Sequence, residues 1–258
     1  MREAQEPIQF LGAPGGGRIA FRRIEGRPPG ILFCPGLHSG MEGTKAQALA
    51  AHCRAAGRAY VRFDYTGHGA SSGRFEEGTV GQWLADALCV LGQAAEGPQV
   101  VVGSSMGGWI MLLLALGRPE RVRGLVGVAA APDFTEELIW NQLSEAGRRQ
   151  LMEEGSFLRP SRYDPQPHPI TRRLVEEGRR HLLLRGPIPV TCPVRLIHGD
   201  QDADVPWETS LRLLRRLAGG DVTLTLVKGG GHRLSGAADI ERLAGTAEAL
   251  CLRLAGAP

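Results

Sequence analysis

Short apolar runs alternate along the chain with longer stretches in which apolar residues recur every three or four positions. The short runs fall at residues 8–11, 18–22, 31–34, 59–63, 99–102, 125–128, 194–197 and 222–227. Most are continuously apolar rather than alternating, the pattern of strands buried on both faces of a parallel sheet. The turn Pro14-Gly15-Gly16-Gly17 joins the first two runs as an antiparallel hairpin. Helical periodicity occupies residues 44–56, 80–95, 106–116, 208–217 and 240–254. A hairpin followed by strand–helix alternation predicts an α/β fold, a mostly parallel sheet with helices on both faces and right-handed crossovers.

Residues 133–187 break the alternation. They contain no clear strand and two or three helical patterns. A structureless loop of that length is improbable in a compact domain. The segment is expected to be a helical cap inserted into a core formed by residues 1–132 and 188–258. Its apolar residues, among them Trp140, Leu143, Leu151 and Phe157, suit a small cap core or an acyl pocket.

Composition narrows the class. The 258 residues are 43% hydrophobic and 22% charged, which excludes a disordered chain, a collagen and a coiled coil. Lys and Arg number 30 against 27 Asp and Glu, a net charge of +3 with no block of like charge. Nucleic acid is therefore not expected as a partner. Lys45 and Lys228 are the two lysines, so nearly all basic residues are Arg. Five cysteines in an odd set without a C-x-x-C pair argue against disulfides and structural zinc. Residues 1–7 carry two acids and no apolar stretch, unlike a secretory signal, and the apolar run at 109–116 is too short to span a bilayer. These features lead to the expectation of a cytoplasmic protein without a transmembrane segment.

The chemistry concentrates in four places. Gly103-Ser104-Ser105-Met106-Gly107 follows a buried strand and opens an apolar helix, the setting of a G-x-S-x-G nucleophile elbow. Ser105 would project its hydroxyl over the carboxyl edge of the sheet. The Met106 N–H would point at a developing oxyanion from a helix N-terminus. Ser104 lies one position too early. A serine nucleophile needs a base, and the base needs a carboxylate, here expected in the chain order Ser, Asp or Glu, His. One strand ends in His198-Gly199-Asp200-Gln201-Asp202-Ala203-Asp204, and the last ends in Gly229-Gly230-Gly231-His232. His232 is the candidate base. Asp202 is the candidate carboxylate, with Asp200 and Asp204 as rivals that spacing does not separate. The loop Pro35-Gly36-Leu37-His38 follows another strand, and the Leu37 N–H is the candidate second oxyanion donor. His38 precedes the serine and breaks the expected order.

Other patterns fail on inspection. The D-x-D-x-D run has Val205 and Leu211 where a calcium loop needs Gly and Glu. Gly43-Thr44-Lys45 lacks the upstream glycines of a phosphate loop, and Gly15-Gly16-Gly17 opens no helix.

Taken together these residues resemble the α/β-hydrolase-fold serine hydrolases. The segments Gly43-Thr44-Lys45-Ala46, Arg62-Phe63-Asp64-Tyr65-Thr66-Gly67, Gly103 through Trp109 and His198-Gly199 through Trp207 resemble more narrowly the family of the mitochondrial palmitoyl-protein thioesterase that is also a mycophenolic acid acyl-glucuronide esterase, and its bacterial relatives. The resemblance implies Ser105 as nucleophile, Asp202 as triad acid and His232 as base. It implies hydrolysis of esters or thioesters through an acyl-enzyme, with no cofactor and no metal. The expected partner is a small-molecule acyl ester or thioester, or an acylated protein. Perhydrolysis, carbon–carbon bond hydrolysis and a non-catalytic ligand receptor use the same fold and remain alternatives at this stage.

Overall fold

The computed structural model describes residues 6–160, 162 and 165–256. The reading of the N-terminal segment falls largely on residues 1–5, outside the described residues. Eight strands form one sheet: β1 (Gln9–Gly12), β2 (Arg18–Ile24), β3 (Arg27–Cys34), β4 (Arg58–Phe63), β5 (Gln99–Ser104), β6 (Val122–Val128), and two late strands. The order across the sheet is β1-β2-β4-β3-β5-β6, followed by Val194–Gly199 and then Val222–Val227. β1 and β2 form the antiparallel hairpin, β2 pairs antiparallel with β4, and every other pairing is parallel.

Strand alternation divides the core into two layers. Leu32 and Val101 face the layer that holds α2 (Val80–Gln93) and α3 (Met106–Gly117). Ile31, Phe33, Val100 and Val102 face the layer that holds α1 (Thr44–Ala56) and the C-terminal helix Ala237–Ala255. Each fully buried Leu, Ile or Phe contributes about 1.5–3 kcal/mol, so this two-sided burial supplies the main drive for the fold. α2 shows how the sequence dictates an element. Thr79 caps its start by accepting from the Gln82 N–H at 3.1 Å, and Val80, Trp83, Ala87 and Val90 form its buried stripe. α3 is buried from Met106 to Ala115 because the sheet covers it on one side and other helices on the other.

Between β6 and the seventh main-sheet strand, residues 133–187 contain a single π turn (Thr135–Ile139), α4 (Glu145–Glu154), the strands β7 (Ser156–Arg159) and β8 (His168–Thr171), and α5 (Arg172–Gly178). The main-sheet strands Val194–Gly199 and Val222–Val227 are thus β9 and β10, flanking α6 (Glu208–Arg216), and the C-terminal helix is α7. The helices agree with expectation. The antiparallel β7–β8 hairpin corrects the reading of this segment as free of strands. Its apolar signal is confined to Phe157 opposite Ile170 and Leu158 opposite Pro169, too short for the periodicity to register.

Candidate active site

The registers bring five strand ends to one edge. Cys34 on β3 lies beside Gly103 on β5, Ser104 beside Val128 on β6, Val128 beside Ile197 on β9, and Gly199 beside Val227 on β10. The loops that follow therefore emerge together, as ligand sites do in open parallel sheets.

Ser105 sits at the β5–α3 junction with φ +53° and ψ −118°, a strained conformation for a residue with a side chain. The flanking glycines make the turn possible. A Cβ on Gly107 would lie 1.9 Å from the Cys34 carbonyl oxygen, and one on Gly103 would lie 2.3 Å from the Gly107 oxygen. β3, β5 and α3 approach so closely only because both positions lack a side chain.

The Ser105 Oγ lies 3.1 Å from His232 Nε2, and His232 Nδ1 lies 2.8 Å from Asp202 Oδ2. The three aspartates have separate partners. Asp200 accepts the Gly229 N–H at 2.6 Å and ties the His232 loop to the β9 end. Asp204 pairs with Arg162 at 3.8 Å and lines the cavity. Asp202 alone of the three reaches His232 Nδ1, and its side chain is fully buried. Its Oδ1 accepts the N–H groups of Asp204 and Val205, both at 2.9 Å.

His198 is the residue that the sequence reading passed over. Its Nε2 lies 3.1 Å from Asp202 Oδ2 and 3.0 Å from the Val205 oxygen, while Nδ1 lies 2.7 Å from Ser210 Oγ. With the proton on Nε2, the ring donates to Asp202 and accepts the Ser210 hydroxyl. The His-Gly pair at the end of β9 was the available signal. Burial by itself would raise the Asp202 pKa. Hydrogen bonds from His198 and His232, attraction to His232 and the Val205 N–H outweigh burial and hold the carboxyl well below the usual range.

The candidate oxyanion donors lie around the same serine. Met106 is the first residue of α3, and Leu37 follows the β3 end. Both line a cavity of about 690 Å³ with Ser105 and His232. Apolar residues of its lining include Met106, Phe134, Leu138 and Ile170, the last three from residues 133–187. Asp202, Asp204 and His232 bring atoms of metal-ligating type within 4.8 Å of one another. A cation held there would compete for the His232–Asp202 hydrogen bond.

Fold and site together define a serine hydrolase of the α/β-hydrolase class, acting on esters or thioesters. The chain belongs to the Hydrolase_4 family, described as serine aminopeptidase, S33, which matches residues 5–167. It is 43% identical over 248 residues to palmitoyl-protein thioesterase ABHD10, mitochondrial, of Bos taurus, covering 96% of this chain and 81% of that protein. Two solved structures are also similar. Alpha/beta hydrolase domain-containing protein 10 from mouse is 41% identical with TM-score 0.89, covering 96% of this chain and 99% of the other. A putative hydrolase from Agrobacterium vitis S4 is 38% identical with TM-score 0.91, covering 97% and 100%.

The name of the bovine protein, shared by the human relative at 41% identity, corrects the expectation of a cytoplasmic location, because both are designated mitochondrial. The physical reason is that unpaired cysteines report a reducing environment, which is not unique to the cytoplasm. Among the described residues no helix is long and apolar enough to cross a membrane.

Proposed function

We propose that this chain hydrolyses acyl thioesters, including long-chain S-acyl groups on protein cysteines, with Ser105, His232 and Asp202 as its catalytic triad. Support comes from the unbroken hydrogen-bond path from Ser105 Oγ through His232 to Asp202 inside a cavity lined in part by apolar residues. The thioester preference rests on the relatives named as palmitoyl-protein thioesterases.

His232 Nε2 takes the Ser105 proton as Oγ attacks the acyl carbonyl, and Asp202 stabilises the resulting imidazolium. The oxyanion of the tetrahedral intermediate accepts hydrogen bonds from the Leu37 and Met106 N–H groups, each worth about 10²–10³ in rate. Collapse breaks the carbon–sulfur bond, and His232 returns its proton to the departing thiolate. Water then loses a proton to His232 and attacks the acyl-enzyme. The free acid leaves as Ser105 regains its proton. Residues 133–187 act as the cap over a core of residues 1–132 and 188–258, and the side lined by Phe134, Leu138 and Ile170 receives the acyl chain.

Hydrolysis of acyl thioesters of graded chain length tests the reading. Wild type is expected to prefer medium or long chains, and Ser105→Ala to lose at least about 10³-fold in kcat. Full activity in Ser105→Ala would refute the triad, and a strict preference for acetyl would refute the acyl-pocket assignment.

A further inference from the structure

The loop that carries Leu37 is held in place from two sides. Gly36 lies directly against the elbow: a Cβ there would be 3.2 Å from the Ser104 oxygen and 3.4 Å from Ser105 Cβ. A small rotation of this loop therefore moves the Leu37 N–H relative to Ser105. The next residue, His38, has φ +55°, a conformation that a residue with a Cβ keeps only when its surroundings hold it. His38 is nonetheless exposed at the surface. Its ring centroid lies 3.8 Å from that of Phe75, tilted by 33°, and 3.7 Å from that of His168, nearly parallel at 20°.

The two contacts differ in origin. Phe75 is half-buried, packs against the core and leans on Trp83 of α2, which is completely buried, at 6.1 Å between centroids. His168 is the first residue of β8, in the inserted segment, and it lines the cavity together with His38. One side of the clamp is thus a half-buried ring packed against the core, and the other is the cap.

We propose that His168 is a positioning residue: its stack on His38, against Phe75, fixes the strained loop so that the Leu37 N–H is aimed at the oxyanion. The cap then does more than cover the acyl chain. Its hairpin completes the alignment of the oxyanion hole, and a displaced cap loosens transition-state stabilisation even with the triad intact. The proposal rests on the reading of Ser105 as nucleophile and Leu37 as donor. Hydrogen bonds in an oxyanion hole act in the transition state more than in the ground state, so a misaligned donor lowers kcat and leaves KM largely unchanged.

The test compares wild type, His168→Ala and His168→Phe with p-nitrophenyl butyrate and with an alkyl trifluoromethyl ketone. Ser105 Oγ adds to the ketone carbon, its proton passes to His232, and the ketone oxygen becomes the oxyanion, so affinity reports the hole directly. His168→Ala is expected to lose about tenfold in kcat and about tenfold in ketone affinity. KM and inhibition by butyrate should stay within about twofold of wild type. His168→Phe, which keeps a stacking ring, should restore both. His38→Gly gives the same comparison from the loop side, since glycine accepts the positive φ without strain but has no ring; it should reproduce the loss. Unchanged ketone affinity in His168→Ala or His38→Gly overturns the proposal, as does a rise in KM at constant kcat, or failure of the Phe variant to restore. A wild type that forms no ketone adduct refutes instead the assignment of Ser105.

Discussion

Burial and hydrogen bonding pull Asp202 in opposite directions, and hydrogen bonding wins. The carboxyl is held ionised by two imidazoles and two backbone N–H groups. Asp202→Asn keeps the shape but presents an amide where His232 Nδ1 needs an acceptor. It should lower kcat by about 10⁴ with little change in KM. The same substitution has a signed effect on stability. A folded-state pKa below the unfolded value, about 3.9 for Asp, adds stability that is complete above that pH and is lost as pH falls through the folded value. Urea melts should show a gap between wild type and Asp202→Asn near neutral pH that narrows below about pH 4; a gap independent of pH contradicts this. In the sequence alone, glycines and chain order single out Ser105 and His232 as candidates, and the structure places them 3.1 Å apart. Spacing did not separate Asp200, Asp202 and Asp204, because a two-residue interval in a loop does not say which carboxylate faces His232; the family resemblance alone pointed to Asp202. His198 went unassigned because a buried histidine at a strand end reads as core until its partners are seen.

The elements were legible wherever burial is two-sided. β3, β5, β6 and β9 are runs of apolar residues because helices cover both faces of the sheet. The β7–β8 hairpin leaves little trace in the sequence because it has only two short apolar pairs, Phe157 with Ile170 and Leu158 with Pro169. The junction of β5 and α3 is the most constrained element boundary. Gly107→Ala would place a methyl group at 1.9 Å from a backbone carbonyl that no rotamer change can move. It should destabilise the fold by about 3 kcal/mol or more, read from denaturant unfolding. A variant as stable as wild type would mean that β3 and α3 are farther apart than described.

At the scale of the whole molecule, the two ends of segment 133–187 are tied to each other, and its returning end is tied to the core. The Asp133 carboxylate accepts the N–H groups of Leu183 and Leu184, both at 2.8 Å. Trp109 of α3 donates to the His181 oxygen at 3.0 Å. Asp133 is buried and has φ +60°, a region that Asp and Asn tolerate better than Ala. Asp133→Ala strands the N–H groups of buried Leu184 and half-buried Leu183 and should cost about 2–4 kcal/mol, with Asp133→Asn costing less because it keeps an acceptor. Equal stability of the two variants would remove Asp133 from this role. In the sequence this segment stands out as a lapse in strand–helix alternation. Its ties do not, since they join residues 50 to 72 positions apart through one carboxylate and one indole.

During turnover an acyl group is expected to pass through Ser105. Mixing the enzyme with a palmitoyl thioester, quenching in acid within the first turnover and mapping the adduct by peptide mass spectrometry tests it most directly. The account predicts palmitate on the peptide that carries Ser105, absent in Ser105→Ala and accumulating when His232 is replaced by Gln and the slow reaction is followed to later times. Palmitate on Ser104 or on a cysteine, with turnover preserved in Ser105→Ala, would contradict it.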